Sequence, residues 1–456
     1  MNEAAAAGVQ ALYGGPRGTA VRVLNRIERT DSYLDKLLDS ELRSNDLSDL
    51  DKGLLSELVH GVMRWQGRLD WVLNGFTHGN FSKSDVSIKN ALRVALYQLL
   101  FLTHVPQYAA VYEAVEFTKK LRGDKLGNLV NAVLRNIIRS IDAIHYPPAE
   151  EDPAQYLSVY HSHPAWMVRR WMSRFQRDEL EHLLEANNEI PELSLRINKI
   201  KVSPAEFLSL LDRQGISYHG SPIIDYFVKV KSLSGIAQMN IFQNGLFTVQ
   251  DESAALPVLL LAPRSGERVI DACAAPGGKT TLLAEVMNNT GSILAVDKYE
   301  SKLRLIRTSC ERLGITNVTP VVADARSFEA EQADKVLVDA PCSGLGTLRK
   351  KPDTKWKREP EDIVRLAALQ ASLLENCAKL VRPGGVMVYS TCTTEPEENS
   401  LQIRAFLGRH PEFVLEDASA YVNKAVVSGE GYVETFPHRH RIDGSFAARL
   451  RKGTTN

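Results

Sequence analysis

From about residue 266 onward, short apolar strands alternate with helical stretches. Strand patterns run over Arg268–Asp271, Ser292–Asp297, Val318–Asp324, Lys335–Asp339 and Val386–Ser390. Helical patterns lie over Thr280–Met287, Lys302–Leu313 and Asp362–Leu380. This alternation restricts the region to an α/β fold with a parallel, doubly wound sheet, because parallel neighbours need a crossover between them. Such sheets bind ligands beyond the carboxyl ends of their strands. Asp271, Asp297, Asp324 and Asp339 each stand at such an end.

The chain of 456 residues is long enough for two or three domains. Residues 1–17 read as a flexible tail, and residues 18–145 as an all-α bundle. One helical face carries Leu54, Leu55, Leu58, Val59, Val62 and Met63, with Ser48 and Asp51 as a variant capping box before it. A second carries Ile88, Leu92, Ala95, Leu96, Leu99 and Leu100. A third runs through Leu126, Leu129, Val130, Val133, Leu134, Ile137, Ile138 and Ile141. After a proline-rich joint, residues 154–262 read as a small α+β unit, with strands over Leu193–Ile197 and Tyr226–Val230 around a helix over Pro204–Gln214. Residues 263–456 form the α/β domain.

No apolar run is long enough to cross a membrane and no secretory signal is evident, so a cytoplasmic protein without a membrane partner is expected. Lys+Arg and Asp+Glu are both 55, which excludes a polybasic tail but not a local basic patch. The five cysteines all lie beyond residue 272, an odd number in one half of the chain, so no disulfide framework is expected. No Cys/His ligand spacing occurs, so no metal is expected.

Four segments could carry chemistry. The turn Cys273, Ala274, Ala275, Pro276, Gly277, Gly278 and Lys279 follows a strand and opens a helix, where free N–H groups and close backbone approach suit a ligand. It ends like a phosphate loop, but Cys273 stands where that loop needs its first glycine. An ATPase, with Lys335–Asp339 as its second motif, is thereby disfavoured against a nucleoside site. Asp297, 20 residues beyond Gly277 at the end of the next strand, is placed to accept from ribose hydroxyls. Asp339-Ala-Pro-Cys342-Ser-Gly and Ser390-Thr-Cys392-Thr-Thr each put a cysteine at the ligand edge of the sheet. Finally, Arg349, Lys350, Lys351, Lys355, Trp356, Lys357 and Arg358 form a basic segment with one indole, a composition that neutralises phosphates and stacks on bases.

These motifs, taken together and in this order, resemble those of the RNA cytosine-C5 methyltransferases that use S-adenosylmethionine. Ala95-Leu-Tyr-Gln-Leu-Leu-Phe101 and Asn131-Ala-Val-Leu-Arg-Asn136 resemble a NusB-type RNA-binding domain. The three-part layout is similar to the Sun/Fmu (RsmB) family, which methylates 16S ribosomal RNA. The resemblance implies a NusB-like bundle, a linking domain and a Rossmann-like methyltransferase domain, acting on 16S rRNA and not DNA, as a monomer. It implies Cys392 as nucleophile, Cys342 as the residue assisting release, and Asp339 as a hydrogen-bonding partner of the base that also lies near the cofactor. It places Asp324 at the adenine end of S-adenosylmethionine and Cys273 to Lys279 at its methionine end. The same chemistry on tRNA or 23S rRNA, and a non-catalytic RNA-binding assembly factor, are the competing readings. Gln250-Asp-Glu-Ser253 matches a family stretch but also suits a helix cap, and Asp443–Leu450 reads as a closing strand with Ser445 where the family has an aromatic residue.

Overall fold

The computed structural model describes residues 12–454 except 31, 45–46, 78–80, 232 and 234. Residues 1–11 of the expected tail lie outside the described residues, and its end is already helical from Gly15. The chain divides into two compact units, one of residues 1–188 with 348–357 and one of residues 189–347 with 358–456.

The first unit is helical. Its helices are α1 (Gly15–Arg29), α2 (Leu34–Ser44), α3 (Asp49–Phe76), α4 (Val86–Phe101), α5 (Gln107–Arg122), α6 (Asp124–Arg139), α7 (Pro153–Tyr160), α8 (Ala165–Met172) and α9 (Arg177–Asn188). Ser48 caps α3 by accepting from the Asp51 amide at 3.2 Å, while its hydroxyl donates to the Asp51 carboxylate at 2.8 Å. Leu55, Leu58, Val59 and Val62 of α3 meet Leu92, Ala95 and Leu96 of α4 and Val130, Val133, Leu134 and Ile137 of α6 in one core. Leu129, expected on that face, is exposed instead. By their contacts the helices over 153–188 group with this unit, whereas the sequence reading groups them with the small α+β unit. Local bonds tie them there: Ser162 Oγ accepts from the Gly67 amide at 2.9 Å, and Lys355 Nζ donates both to the Arg64 carbonyl and to Asn188 Oδ1.

The basic segment corrects its sequence reading. Residues 348–357 pack into the helical unit. Lys355 is 1% exposed, and its Nζ donates to the Arg64 carbonyl at 2.8 Å and to Asn188 Oδ1 at 3.1 Å. Burial pushes its ammonium well below the usual lysine range. Trp356 Nε1 donates to the Met63 carbonyl at 2.6 Å, and Arg349 is buried with its carbonyl accepting from Arg64 Nη2 at 3.0 Å. Lys357 Nζ is bonded to the Ser32 carbonyl. Lys355 and Arg349 are thus buried packing groups and not phosphate contacts, while Trp356 is half-buried with its indole N–H bonded to α3, whose carbonyls composition does not show. Lys350, Lys357 and Arg358 are half-buried, which leaves Lys351 as the one fully exposed residue of the seven.

The second unit holds two sheets. The smaller is antiparallel, in the order β2 (Tyr218–Gly220), β3 (Phe227–Val230), β1 (Leu193–Ile197), β4 (Phe247–Val249), with α10 (Pro204–Arg213) against it. A Ser203/Glu206 capping box starts α10, and Phe207 and Leu211 pack on Leu195, Ile197, Val228 and Phe247. Helix α11 (Glu252–Leu261) leads into the larger sheet.

That sheet has the order β10 (Phe413–Glu416), β12 (Ser445–Lys452), β9 (Val381–Thr391), β8 (Ala333–Asp339), β5 (Arg268–Asp271), β6 (Ser292–Asp297), β7 (Val318–Val322), and β11 (Val433–Thr435) pairs with β12. Strands β9 to β7 along this order are parallel, and at one side β12 runs antiparallel to both β9 and β10. Helices α12 (Gly278–Val286), α13 (Glu300–Leu313) and α14 (Pro360–Lys379) supply crossovers. α15 (Ser400–Arg409) follows β9. The winding runs outward from β5 through β6 to β7, then restarts on the other side with β8 and β9. The switch point therefore lies between β5 and β8, whose carboxyl ends carry Asp271 and Asp339. The closing strand is β12, and Ser445 there bonds Thr435 Oγ1 at 2.9 Å, filling a polar pair where an aromatic side chain would pack.

Candidate active site

Two groups of side chains meet at this switch point. The first is built by the turn after β5. Gly277 has φ 107°, a conformation that favours glycine, and a Cβ there would press on Ile306 at 3.0 Å. The turn presents the first amides of α12 beside the strand ends. Asp271 is fully buried; its Oδ2 accepts from Thr280 Oγ1 at 2.7 Å and its Oδ1 has no hydrogen-bond partner. Burial pushes its carboxyl up to about 7.

Asp271 therefore gives a pH signature. Its folded pKa lies above the unfolded value of about 3.9, so its contribution to stability is complete below that value and is lost as pH rises through about 7. Urea unfolding at about pH 5 and about pH 8 should show a larger loss for the wild type than for Asp271→Asn. An equal loss in both proteins contradicts the assignment.

Beside the turn opens a cleft of about 400 Å³ lined by Cys273, Asp297, Tyr299, Asp324, Arg326 and Pro341, among others. That volume lies within the roughly 300–1,000 Å³ usual for small-molecule sites. Asp297 Oδ1 accepts from the Tyr299 amide at 3.0 Å. Asp324 receives Arg326 through two bonds of 3.0 and 2.6 Å, and this pairing holds its carboxyl far below the usual range. Burial holds the Cys273 thiol protonated, well above the ordinary thiol value.

The second group lies at the ends of β8 and β9. These strands pair in parallel with Asp339 opposite Ser390. Cys342 follows Asp339 by three residues and Cys392 follows Ser390 by two, so the register itself brings both cysteines to one place. Their sulfurs are 3.2 Å apart, and the Cys392 amide donates to Cys342 Sγ at 3.3 Å. Cys392 is exposed and Cys342 half-buried. The bond to Cys392, then burial, raises Cys342 well above the ordinary thiol value. Asp339 Oδ2 accepts from Lys279 Nζ at 2.6 Å and Oδ1 from Ser390 Oγ at 2.9 Å. Burial alone would lower the Lys279 pKa, but Asp339 holds its ammonium above the usual lysine value. Arg358 Nε donates to the Ser343 carbonyl at 2.9 Å, which puts it on the Cys342 loop.

The structure thus joins Lys279, Asp339, Cys342 and Cys392 in one group, and Cys273, Asp297 and Asp324 around one cleft. Pro341, next to Cys342, lines that cleft as well. Ala274, Ala275, Pro276 and Gly278 shape the turn between.

Sequence reasoning missed Arg196, which is fully buried on β1. It donates to the Gly278 carbonyl at 2.8 Å, Thr281 Oγ1 at 3.0 Å and Glu285 Oε1 at 2.8 Å, and to Gln250 Oε1. An arginine inside the apolar run Leu193–Ile197 was the available signal. Within the Gln250–Ser253 stretch Asp251 caps α11, as the cap reading expects, and Gln250 also accepts from Arg196 in the network under the turn, which the sequence did not show.

A doubly wound sheet with a cofactor-sized cleft at its switch point defines a Rossmann-like domain, and the family match makes it a methyltransferase domain. Residues 258–451 match the model of the family described as 16S rRNA methyltransferase RsmB/F. Residues 15–139 match the NusB family, and residues 163–236 the ferredoxin-like domain of RsmF/B-like methyltransferases. A protein of Bacillus subtilis (strain 168) named "Probable ribosomal RNA small subunit methyltransferase B" is 39% identical over 450 residues, 96% of this chain and 98% of that protein. The ribosomal RNA small subunit methyltransferase B of Escherichia coli O1:K1 / APEC is 35% identical over 442 residues, 96% and 98% of the two chains. The crystal structure of PH0851 superposes with TM-score 0.80 at 30% identity over 98% of each chain. The chain belongs to the RsmB/F family of 16S rRNA methyltransferases.

Proposed function

We propose that the protein transfers a methyl group from S-adenosylmethionine to C5 of a cytosine in 16S rRNA, through a covalent bond between Cys392 and C6. The observation that carries this reading is the pair of thiols 3.2 Å apart beside the Lys279–Asp339 ion pair.

The cleft suits the cofactor by its donor set. Asp297 offers a carboxylate at the position that accepts from a ribose diol, and Cys273 of the turn lines the same cleft. Bound there, S-adenosylmethionine supplies an electrophilic methyl group on a sulfonium.

C5 of cytosine is a poor nucleophile until a thiolate adds at C6 and makes it enamine-like. The exposed Cys392 suits the attack, with the half-buried Cys342 beside it at 3.2 Å. Lys279 lies within electrostatic reach of Cys392 and favours its thiolate. Asp339 is oriented by Lys279 and Ser390 to accept a hydrogen bond from the base at its N3–N4 edge. After transfer the C5 proton must leave so that the C5–C6 double bond re-forms and the C6–S bond breaks. Cys342, with its sulfur 3.2 Å from that of Cys392, stands beside the adduct to assist this release. The target base must leave its stack to meet both sulfurs, which a single-stranded RNA loop allows.

The test is methyl transfer from labelled S-adenosylmethionine to unmodified 16S rRNA, with bisulfite sequencing of the product. One protected cytosine is expected. Label on tRNA or 23S rRNA alone, or on no RNA, overturns the reading.

A further inference from the structure

We infer that Glu398 is a positioning residue that clamps the two cysteine-bearing loops together and so fixes the distance between Cys342 and Cys392. It rests on the reading of those cysteines as the reacting pair.

Glu398 is fully buried, in the single 3₁₀ turn Pro396–Glu398 that follows the Cys392 loop. Its carboxylate reaches back to the residue after Cys342: Oε2 accepts from the Ser343 amide at 2.9 Å and Oε1 from the Ser343 hydroxyl. A third donor, Gln370 Nε2 of α14, lies 2.8 Å from Oε2 and also bonds the Pro341 carbonyl at 2.9 Å. The Ser343 hydroxyl has spent its proton on Glu398, so its 2.7 Å contact with Thr393 Oγ1 must be donated by the threonine. Thr393 is the residue after Cys392. The chain Glu398–Ser343–Thr393 therefore joins the residues directly after each cysteine. The Glu398 carbonyl is itself fixed by Tyr389 OH at 2.6 Å, and neighbouring Asn399 ties the Thr393 carbonyl at 2.9 Å. Glu398, Ser343 and Thr393 are not among the residues that line the cleft.

A carboxylate suits this role for a stated reason. Three donors converge on it, and an acceptor-only group satisfies all of them. Glutamine in its place brings two N–H donors of its own and leaves a buried donor facing a donor. The other charged or titratable groups around it are Glu395, Cys342 and Tyr389, with Arg358 on the Ser343 carbonyl.

The test reads the sulfur pair directly, without requiring turnover. Phenylarsine oxide condenses with two adjacent thiols, forming two As–S bonds and releasing water, with no change in oxidation state. In the wild-type protein it should protect Cys342 and Cys392 together from alkylation, read by peptide mass spectrometry. Glu398→Gln should weaken this joint capture at least tenfold. Where methyl transfer is measured, the same variant should lose about 100-fold in kcat with KM for S-adenosylmethionine within twofold, the pattern of misplaced reacting groups over an intact cofactor site. Should Glu398→Gln melt, Ser343→Ala decides: it deletes only the hydroxyl between Glu398 and Thr393 and should weaken capture in the same way. Capture equal to wild type in the folded variant overturns the inference, as does methyl transfer within twofold of wild type. Failure of the wild type to methylate any RNA would instead overturn the proposed reaction, while arsenical capture still decides the role of Glu398.

Discussion

Arg196→Met is expected to lower the stability of the second unit by about 3–5 kcal/mol, the usual cost of breaking a buried ion pair from one side. Both partners are buried: the Arg196 side chain is 0% and the Glu285 side chain 1% exposed. Removing the guanidinium strips four acceptors at once, among them the Gly278 carbonyl in the first turn of α12. Burial already pushes Glu285 above the usual carboxylate value with Arg196 opposing it, so losing Arg196 pushes it further up. A calorimetric midpoint lower by roughly 10 °C follows for a unit of this size. The double variant Arg196→Met/Glu285→Leu should recover most of the loss, since no buried charge is then left alone. Because Arg196 holds the turn from beneath, cofactor binding should weaken in the single variant. A destabilisation under about 1 kcal/mol would show that the network is not holding the turn.

Cys392→Ala should reduce methyl transfer by about 10⁴-fold or more, the scale on which removing a covalent nucleophile acts. The side chain is exposed, so stability should change by no more than about 0.5 kcal/mol. A folded variant that retains even a few per cent of the rate would mean that Cys392 does not form the covalent bond.

Much of this was legible in the sequence because it depends on local pattern. The five parallel strands follow from apolar runs that each close on an acid or a polar turn. Their carboxyl ends share one edge by topology, so Asp271, Asp297, Asp339, Cys342 and Cys392 had to lie near one another once the winding was known. The small sheet was legible from Leu193–Ile197 and the run up to Val230.

What stayed hidden depends on partners distant in sequence. Lys355 reads as a surface charge, yet its acceptors are the Arg64 carbonyl and Asn188, which no local rule pairs with it. Lys279 reads as a cofactor contact, but its partner is Asp339, 60 residues on. Arg196 and Glu398 are charged residues that composition assigns to solvent. Each is buried because one side chain satisfies several backbone and side-chain groups together, a requirement set by tertiary packing alone. Helices 153–188 look like part of the linking unit because their pattern does not say which core receives them.

The central claim is that Cys392 forms the bond to the base and Cys342 is needed to break it. Wild type, Cys342→Ala, Cys392→Ala and the double variant are each incubated with 16S rRNA and S-adenosylmethionine and run on a denaturing gel. The account predicts a covalent protein–RNA band that accumulates with Cys342→Ala, and no band with Cys392→Ala or the double variant. A band with Cys392→Ala that vanishes in the double variant would contradict it by exchanging the two roles.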